Sequence, residues 1–263
     1  MKILITGEKG DLGNFFYNQI KKKHKVYTTN QMNKLKNLDL FIHMGASGPK
    51  RNFNKIVKSN ILKLKSMFLK LKKVKIKQII FFSSTSVYGS YENSPIDEKK
   101  IFKNQSIYGI SKIYGEKFFL NNYDFNVTCL RIPAVLTKNN FNHYIGRQVK
   151  KLMSNQDVIL DSRKKRFNFF LDPNNLLEFI ITKKNLRENQ IINLSSDNEW
   201  SLYKIISYLK KKLNSKSKII ISRKQKKSFT LSNEKAKKKF NFKPYKTIKS
   251  LNNWIQILEN EKN

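Results

Sequence analysis

The chain has 263 residues and is 39% hydrophobic, with 19 Phe and 11 Tyr, which suits a folded protein with a substantial core and excludes a disordered one. Its 54 Lys and Arg outnumber 18 Asp and Glu, a formal charge of +36, but the lysines are spread along the whole chain and accompany scarce Gly (9) and Pro (5); that pattern reads as a solvated surface of A+T-rich coding, with nucleic acid not expected as a partner. No apolar run approaches the roughly 20 residues that span a bilayer, MKILITGEKG lacks the marks of a secretory signal, and the single cysteine, Cys129, admits no intrachain disulfide, so a cytoplasmic protein without a membrane partner is expected.

In chain order, KILIT (2–6) is a short apolar run ending at glycines, a buried-strand signal, and DLGNFFYNQIKKK (11–23) then has helical spacing. KVYTT (25–29) is a second strand and LDLFIHMGAS (38–47) contains a third. A long amphipathic helix (54–73), a strand KQIIFFSS (77–84), the helix SIYGISKIYGEKFF (106–119) and a strand NVTCLRI (126–132) follow. Strands that are apolar on both faces and alternate with helices predict a parallel sheet covered by helices, a Rossmann-type doubly wound α/β fold. After about residue 135 the alternation loosens. We therefore divide the chain into a Rossmann-type domain, 1–160, and a small C-terminal lobe, 161–263, partly interleaved with it. The basic tract 210–228 contains a strand core, IIIS.

The first strand runs into TGEKGDLGN, which spaces Gly7, Gly10 and Gly13 as G-x-x-G-x-x-G. Between a strand and a helix, such glycines allow a tight turn and let backbone N–H groups approach a pyrophosphate. Tyr108 and Lys112 lie four residues apart, on one face of a helix. Tyr114 lacks a lysine at that spacing. His43 ends a buried strand and reads as a hydrogen-bonded core residue. Three histidines and one cysteine give no metal-ligand spacing.

With these motifs in order, the chain resembles the extended short-chain dehydrogenase/reductases of the nucleotide-sugar epimerase/dehydratase family. The likeness runs nearly end to end: TGEKGDLG, FIHMGA (41–46), Asn60 in KSNIL, FFSSTSVYG (81–89), SPIDE (94–98), SIYGISKIYGEKF, LRIPAV (130–135), RFNFFLD (166–172) and TLSNEKAKKKFNFKP (230–244). The resemblance implies NAD or NADP held by Gly7, Gly10, Gly13, Asn30, Gly45, Ala46, Asn60, Lys112 and Pro133. It implies a nucleotide-diphosphate sugar held by Ser84, Tyr88 and Arg166, with Arg147 the alternative phosphate clamp, and a homodimer. It implies that 1–160 is the dinucleotide-binding domain and 161–263 the substrate-binding lobe.

It also implies the chemistry. Free tyrosine ionises near pH 10; a neighbouring Lys112 and an oxidised nicotinamide are expected to lower that value, so that Tyr108 exchanges a proton with the sugar oxygen. Ser84, three residues before Val87 of V-Y-G, orients that oxygen. Three departures qualify the likeness. Asn30 stands where the family often has a carboxylate, with Lys34 the nearest cation for a 2′-phosphate, so NAD and NADP both stand. Only about eight residues separate YTTN from the next strand. Thr85-Ser86 replace the Asp-Glu pair of 4,6-dehydratases, which disfavours dehydration. A nucleotide-sugar epimerase and a 4-ketoreductase share these residues and both stay open. A non-catalytic dinucleotide- or RNA-binding protein that kept the fold is the alternative.

Overall fold

Alternate residues of the apolar runs go to opposite faces of one sheet. The computed structural model describes residues 1–90, 94–100, 102–122, 126–182, 186, 188–222 and 230–259. In order, β1 (Lys2–Thr6), α1 (Asp11–Ile20), β2 (Lys25–Tyr27), β3 (Asn37–Leu38), β4 (Leu40–His43), α2 (Phe53–Val57), α3 (Lys63–Leu71), β5 (Lys75–Ile76), β6 (Gln78–Ser84), α4 (Ile107–Asn122) and β7 (Asn126–Ile132) form the first half. The second half holds β8 (Ala134–Val135), α5 (Tyr144–Met153), β9 (Val158–Leu160), β10 (Phe170–Leu171), α6 (Pro173–Thr182), β11 (Gln190–Asn193), α7 (Leu202–Lys212), β12 (Ile219–Ile221), α8 (Glu234–Phe240) and α9 (Thr247–Glu259).

The central sheet has the order β11-β7-β6-β4-β1-β2, and every pairing in it is parallel. Ile3, Ile5, Leu40, Ile42, Ile80 and Phe82 face α1 and α6, where Phe16 and Phe179 meet them. Their neighbours Leu4, Phe41, Ile79, Phe81 and Cys129 face α3 and α4, against Leu64 and Phe119. A parallel sheet must be covered on both sides in this way, which is why its strands read as unbroken apolar runs. The chain travels outward from β1 to β2, then returns to the other side through β4, β6 and β7. The reversal leaves a crevice at the carboxyl ends of β1 and β4, the place where such sheets take ligands.

A separate core holds α5, α7 and α9 together through Val149, Ile205, Leu209 and Trp254, with Val158 and Leu160 of β9. The two cores interleave along the chain: α5 and β9 belong to the second, whereas β11 extends the central sheet. Two elements differ from their sequence pattern. The strand at KVYTT ends at Tyr27, because Thr28 and Gln31 form a reciprocal capping box that opens a 3₁₀ turn, Thr29–Lys34. The helix expected over 54–73 is interrupted by a π turn, Lys58–Leu62, a feature often found at functional sites. Of the basic tract, 219–221 form β12 and 223–229 lie outside the described residues. Among the described residues no helix is long and apolar enough to cross a membrane.

Candidate active site

The glycine loop closes tightly on itself at the crevice. Gly7 takes φ +85°, and a Cβ there would stand 2.6 Å from the Gly45 nitrogen at the end of β4. A Cβ on Gly13 would stand 2.0 Å from the Gly7 carbonyl oxygen, so α1 reaches β1 this closely only because residue 13 has no side chain. Gly10 is different. Its backbone is extended (φ −79°) as it caps α1, and a Cβ would meet only the Gly7 oxygen at 3.3 Å. Beside it opens a cavity of about 650 Å³ lined by Lys9, Gly10, Asp11, Asn14 and Phe15, with Thr137, Lys138, Asn139, Pro173 and Ile257. A glycine cradle, a helix N-terminus and a lysine beside an open cavity are the donor set a pyrophosphate takes, so these residues fit a dinucleotide.

The second half of the site is built by α4 docking on β6. Ser106 caps this helix by accepting from the Gly109 amide at 3.2 Å. Two glycines inside a helix weaken it by up to about 1 kcal/mol each. Here both permit contact: a Cβ on Gly109 would stand 2.4 Å from the Ser86 carbonyl oxygen, and one on Gly115 2.4 Å from the Phe81 ring. The approach brings Tyr108 and Lys112 to the end of β6. The Ser84 hydroxyl lies within reach of the Tyr108 phenol and donates to the Ser86 hydroxyl at 3.2 Å. The adjacent Ser83 hydroxyl donates instead to Glu116, further along the same helix, at 2.5 Å. Lys112 is 5% exposed, with Nζ 5.8 Å from the Tyr108 ring centroid and donating to the Phe82 carbonyl at 2.7 Å.

The electrostatics differ from the expected lowering of Tyr108 by Lys112. Burial holds the Tyr108 phenol above its ordinary value, and the Ser84 hydroxyl opposes this. Burial also pushes Lys112 down to about 8, against the pull of the Glu116 carboxylate. Each group is thus biased toward its uncharged form.

Asn60, carried by the π turn, is 6% exposed. It accepts from the Ser47 amide at 2.7 Å and donates to the Ser47 carbonyl and the Ser111 hydroxyl. Ser111 in turn donates to the Tyr108 carbonyl. Asn60 therefore ties the loop that follows Gly45 and Ala46 to α4. Pro133 comes one residue after Ile132, which lies in register with Ser84.

Tyr88 and Arg166 are not brought to this cluster. The Tyr88 ring, expected at the substrate, is 2% exposed. Its hydroxyl donates to Asn193 at 2.7 Å and accepts from Arg131 at 3.1 Å, and burial pushes its pKa up to about 12. Arg166 is exposed and donates to the Asn198 carbonyl at 3.2 Å; Arg147 is exposed and donates to the Asn142 carbonyl. Asn30 is exposed in the 3₁₀ turn. His43 is buried, shares a 2.6 Å hydrogen bond with Thr6, and is pushed down to about 3 by burial and the Lys112 charge.

Sequence reading missed the buried pair Glu116–Arg131. The guanidinium donates from Nε at 2.9 Å and from Nη2 at 2.7 Å to the two carboxylate oxygens. The available signal was spacing: Glu116 is four residues beyond Lys112 on the same helix face.

The fold and this geometry together define a doubly wound α/β protein whose sheet ends present a dinucleotide cradle beside a serine, a tyrosine and a lysine. The chain belongs to the NAD dependent epimerase/dehydratase family, whose model matches residues 28–194, more than half of its length. The family is NAD-dependent and falls within the extended short-chain dehydrogenase/reductases, so NAD or NADP is the cofactor class. A uronate dehydrogenase of Pseudomonas syringae is 31% identical over 101 residues. That match covers 37% of this chain and 37% of the relative, so the chain spans well under half of that protein's length. Among solved structures, a UDP-glucuronic acid 4-epimerase from Bacillus cereus in complex with NAD superposes with a TM-score of 0.82 at 18% identity, covering 98% of this chain and 97% of its own. RMD from Pseudomonas aeruginosa, complexed with NADPH, gives 0.81 at 16% identity, covering 98% and 100%. At these identities the structural likeness is one of fold.

Proposed function

We propose that this enzyme moves a hydride at a carbon of a nucleotide-diphosphate sugar, as an epimerase or a 4-ketoreductase, acting in the cytoplasm as a homodimer. The observation that carries the reading is the convergence of Ser84, Tyr108 and Lys112 at the end of β6, beside the glycine cradle. The bound nicotinamide supplies the hydride acceptor or donor. Ser84 holds the reacting sugar oxygen by a hydrogen bond. Tyr108 takes the proton of that oxygen when the carbon is oxidised, or gives one when a ketone is reduced. Lys112 reaches the nicotinamide ribose and, when protonated, favours the phenolate. Asn60 holds the loop after β4 against the helix that carries the tyrosine. Gly45, Ala46 and Pro133 line the cofactor's course, and Arg166 meets the substrate diphosphate on the lobe. Thr85 and Ser86 offer no carboxylate for eliminating water, which favours the two reactions named over dehydration.

A second reading, oxidation of a free sugar acid, has the 101-residue match to uronate dehydrogenase in its favour. Turnover on a panel of UDP-glucose, UDP-glucuronic acid and free uronates separates the two. Tyr108→Phe removes one oxygen and should keep the fold and cofactor affinity while turnover falls by roughly 10²–10⁴. Activity within a few-fold of the parent would remove Tyr108 from the mechanism.

A further inference from the structure

The end of β2 lacks a carboxylate, since Asn30 is an exposed amide, but the crevice does not. Glu8, the residue after Gly7 in the cofactor loop, reaches across to the segment that follows β2. Its Oε2 accepts from the Thr29 hydroxyl at 3.0 Å. β1 and β2 are parallel neighbours with Leu4 opposite Tyr27, so residues shortly after their ends share one rim. Thr29 opens the 3₁₀ turn that begins two residues past Tyr27, and Glu8 is half-buried beside it. Among the described residues Oε1 has no partner. That is notable for a carboxylate in a chain with three times as many cations as anions.

We propose that Glu8, steadied by Thr29, accepts the hydroxyls of the adenosine ribose and selects NAD over NADP. The inference rests on the reading of the glycine loop as the dinucleotide site. In folds of this type a carboxylate about 20 residues after the glycines, at the end of the second strand, bonds the ribose hydroxyls. Here the chain delivers the same group to the same rim from the first loop. A carboxylate only accepts hydrogen bonds. It suits a vicinal diol, which offers two donors, and repels a 2′-phosphate, which offers none and adds negative charge. The hydrogen bond to Thr29 turns the side chain toward β2, away from the N-terminus of α1 where the pyrophosphate belongs.

The test is calorimetric titration of the parent, Glu8→Gln and Thr29→Val with NAD and with NADP, the circular dichroism of each being recorded. The parent should bind NAD at least about tenfold more tightly than NADP. Glu8→Gln keeps the shape and removes the charge, and should shrink that ratio about tenfold or more, the scale of a charged hydrogen bond. Thr29→Val frees the carboxylate and should shrink the ratio less. A parent that prefers NADP, with Lys34→Ala abolishing the preference, overturns the proposal in favour of the cation. A ratio unchanged in both variants also overturns it while leaving the dinucleotide site standing. A parent that binds neither cofactor overturns the proposal and the reading beneath it together.

Discussion

Lys112 is a charge kept in a place that disfavours charge. Its ammonium is buried on the Phe82 carbonyl and its pKa is pushed down to about 8, below the ordinary 10.5. Such a group destabilises the fold where it must be protonated, and proteins keep it where chemistry needs it. The folded pKa lies below the unfolded one. The penalty is therefore fully present below pH 8 and lifts as pH rises toward 10.5. Lys112→Met should accordingly be more stable than the parent at pH 7 by about 1–3 kcal/mol, with little turnover. Urea denaturation at pH 7 and at pH 10 would show the gain shrinking at the higher pH. A variant no more stable at pH 7 would mean that the Phe82 carbonyl and the Glu116 carboxylate fully offset the burial.

Elements meet at glycines in this fold, and those glycines do different work. Gly13 governs packing, because its absent side chain lets α1 lie on the Gly7 carbonyl. Gly10 faces the cavity and has an ordinary φ. Gly13→Ala should cost about 1–3 kcal/mol or more, through overpacking that backbone atoms cannot relieve. Gly10→Val should leave the melting temperature within a few degrees while NAD affinity falls at least tenfold. Melting curves alongside a cofactor titration check both. Equal losses of stability would show that Gly10 is a packing residue too. The spacing of the three glycines was legible in TGEKGDLG; which one bends and which one faces the ligand was not, because the positive φ of Gly7 is packed against Gly45, 38 positions away.

At the scale of the whole molecule, exposed apolar side chains gather on the segment that carries Asn60. Phe53 is 60%, Leu62 56% and Leu69 69% exposed, and α2 and the π turn pack beside α4, where Ile110 is 48% exposed. Large apolar groups repeated on one layer of the sheet suit an interface, and this supports the proposed homodimer. The parent should sediment at twice the 31.1 kDa of one chain. The double variant Leu62→Asp, Leu69→Asp should sediment near that single mass with its circular dichroism retained. A parent that sediments as a monomer, or a variant that stays paired, would move the interface elsewhere or abolish it.

Much of this protein was determined by local sequence. Strand–helix alternation and apolar runs give a doubly wound sheet, because two-sided burial allows little else. The pair Tyr108/Lys112 follows from helical spacing alone. Tertiary structure decided the rest. It put Ser84 at the phenol and Ser83 on Glu116, two turns further along the same face of α4. It sent Tyr88 into the buried network of Arg131 and Asn193, partners 43 and 105 positions away. It brought Glu8 to Thr29, 21 residues on, across a rim formed only when β1 and β2 lie side by side. Local periodicity states which face a residue takes; only the packed sheet states what waits on that face.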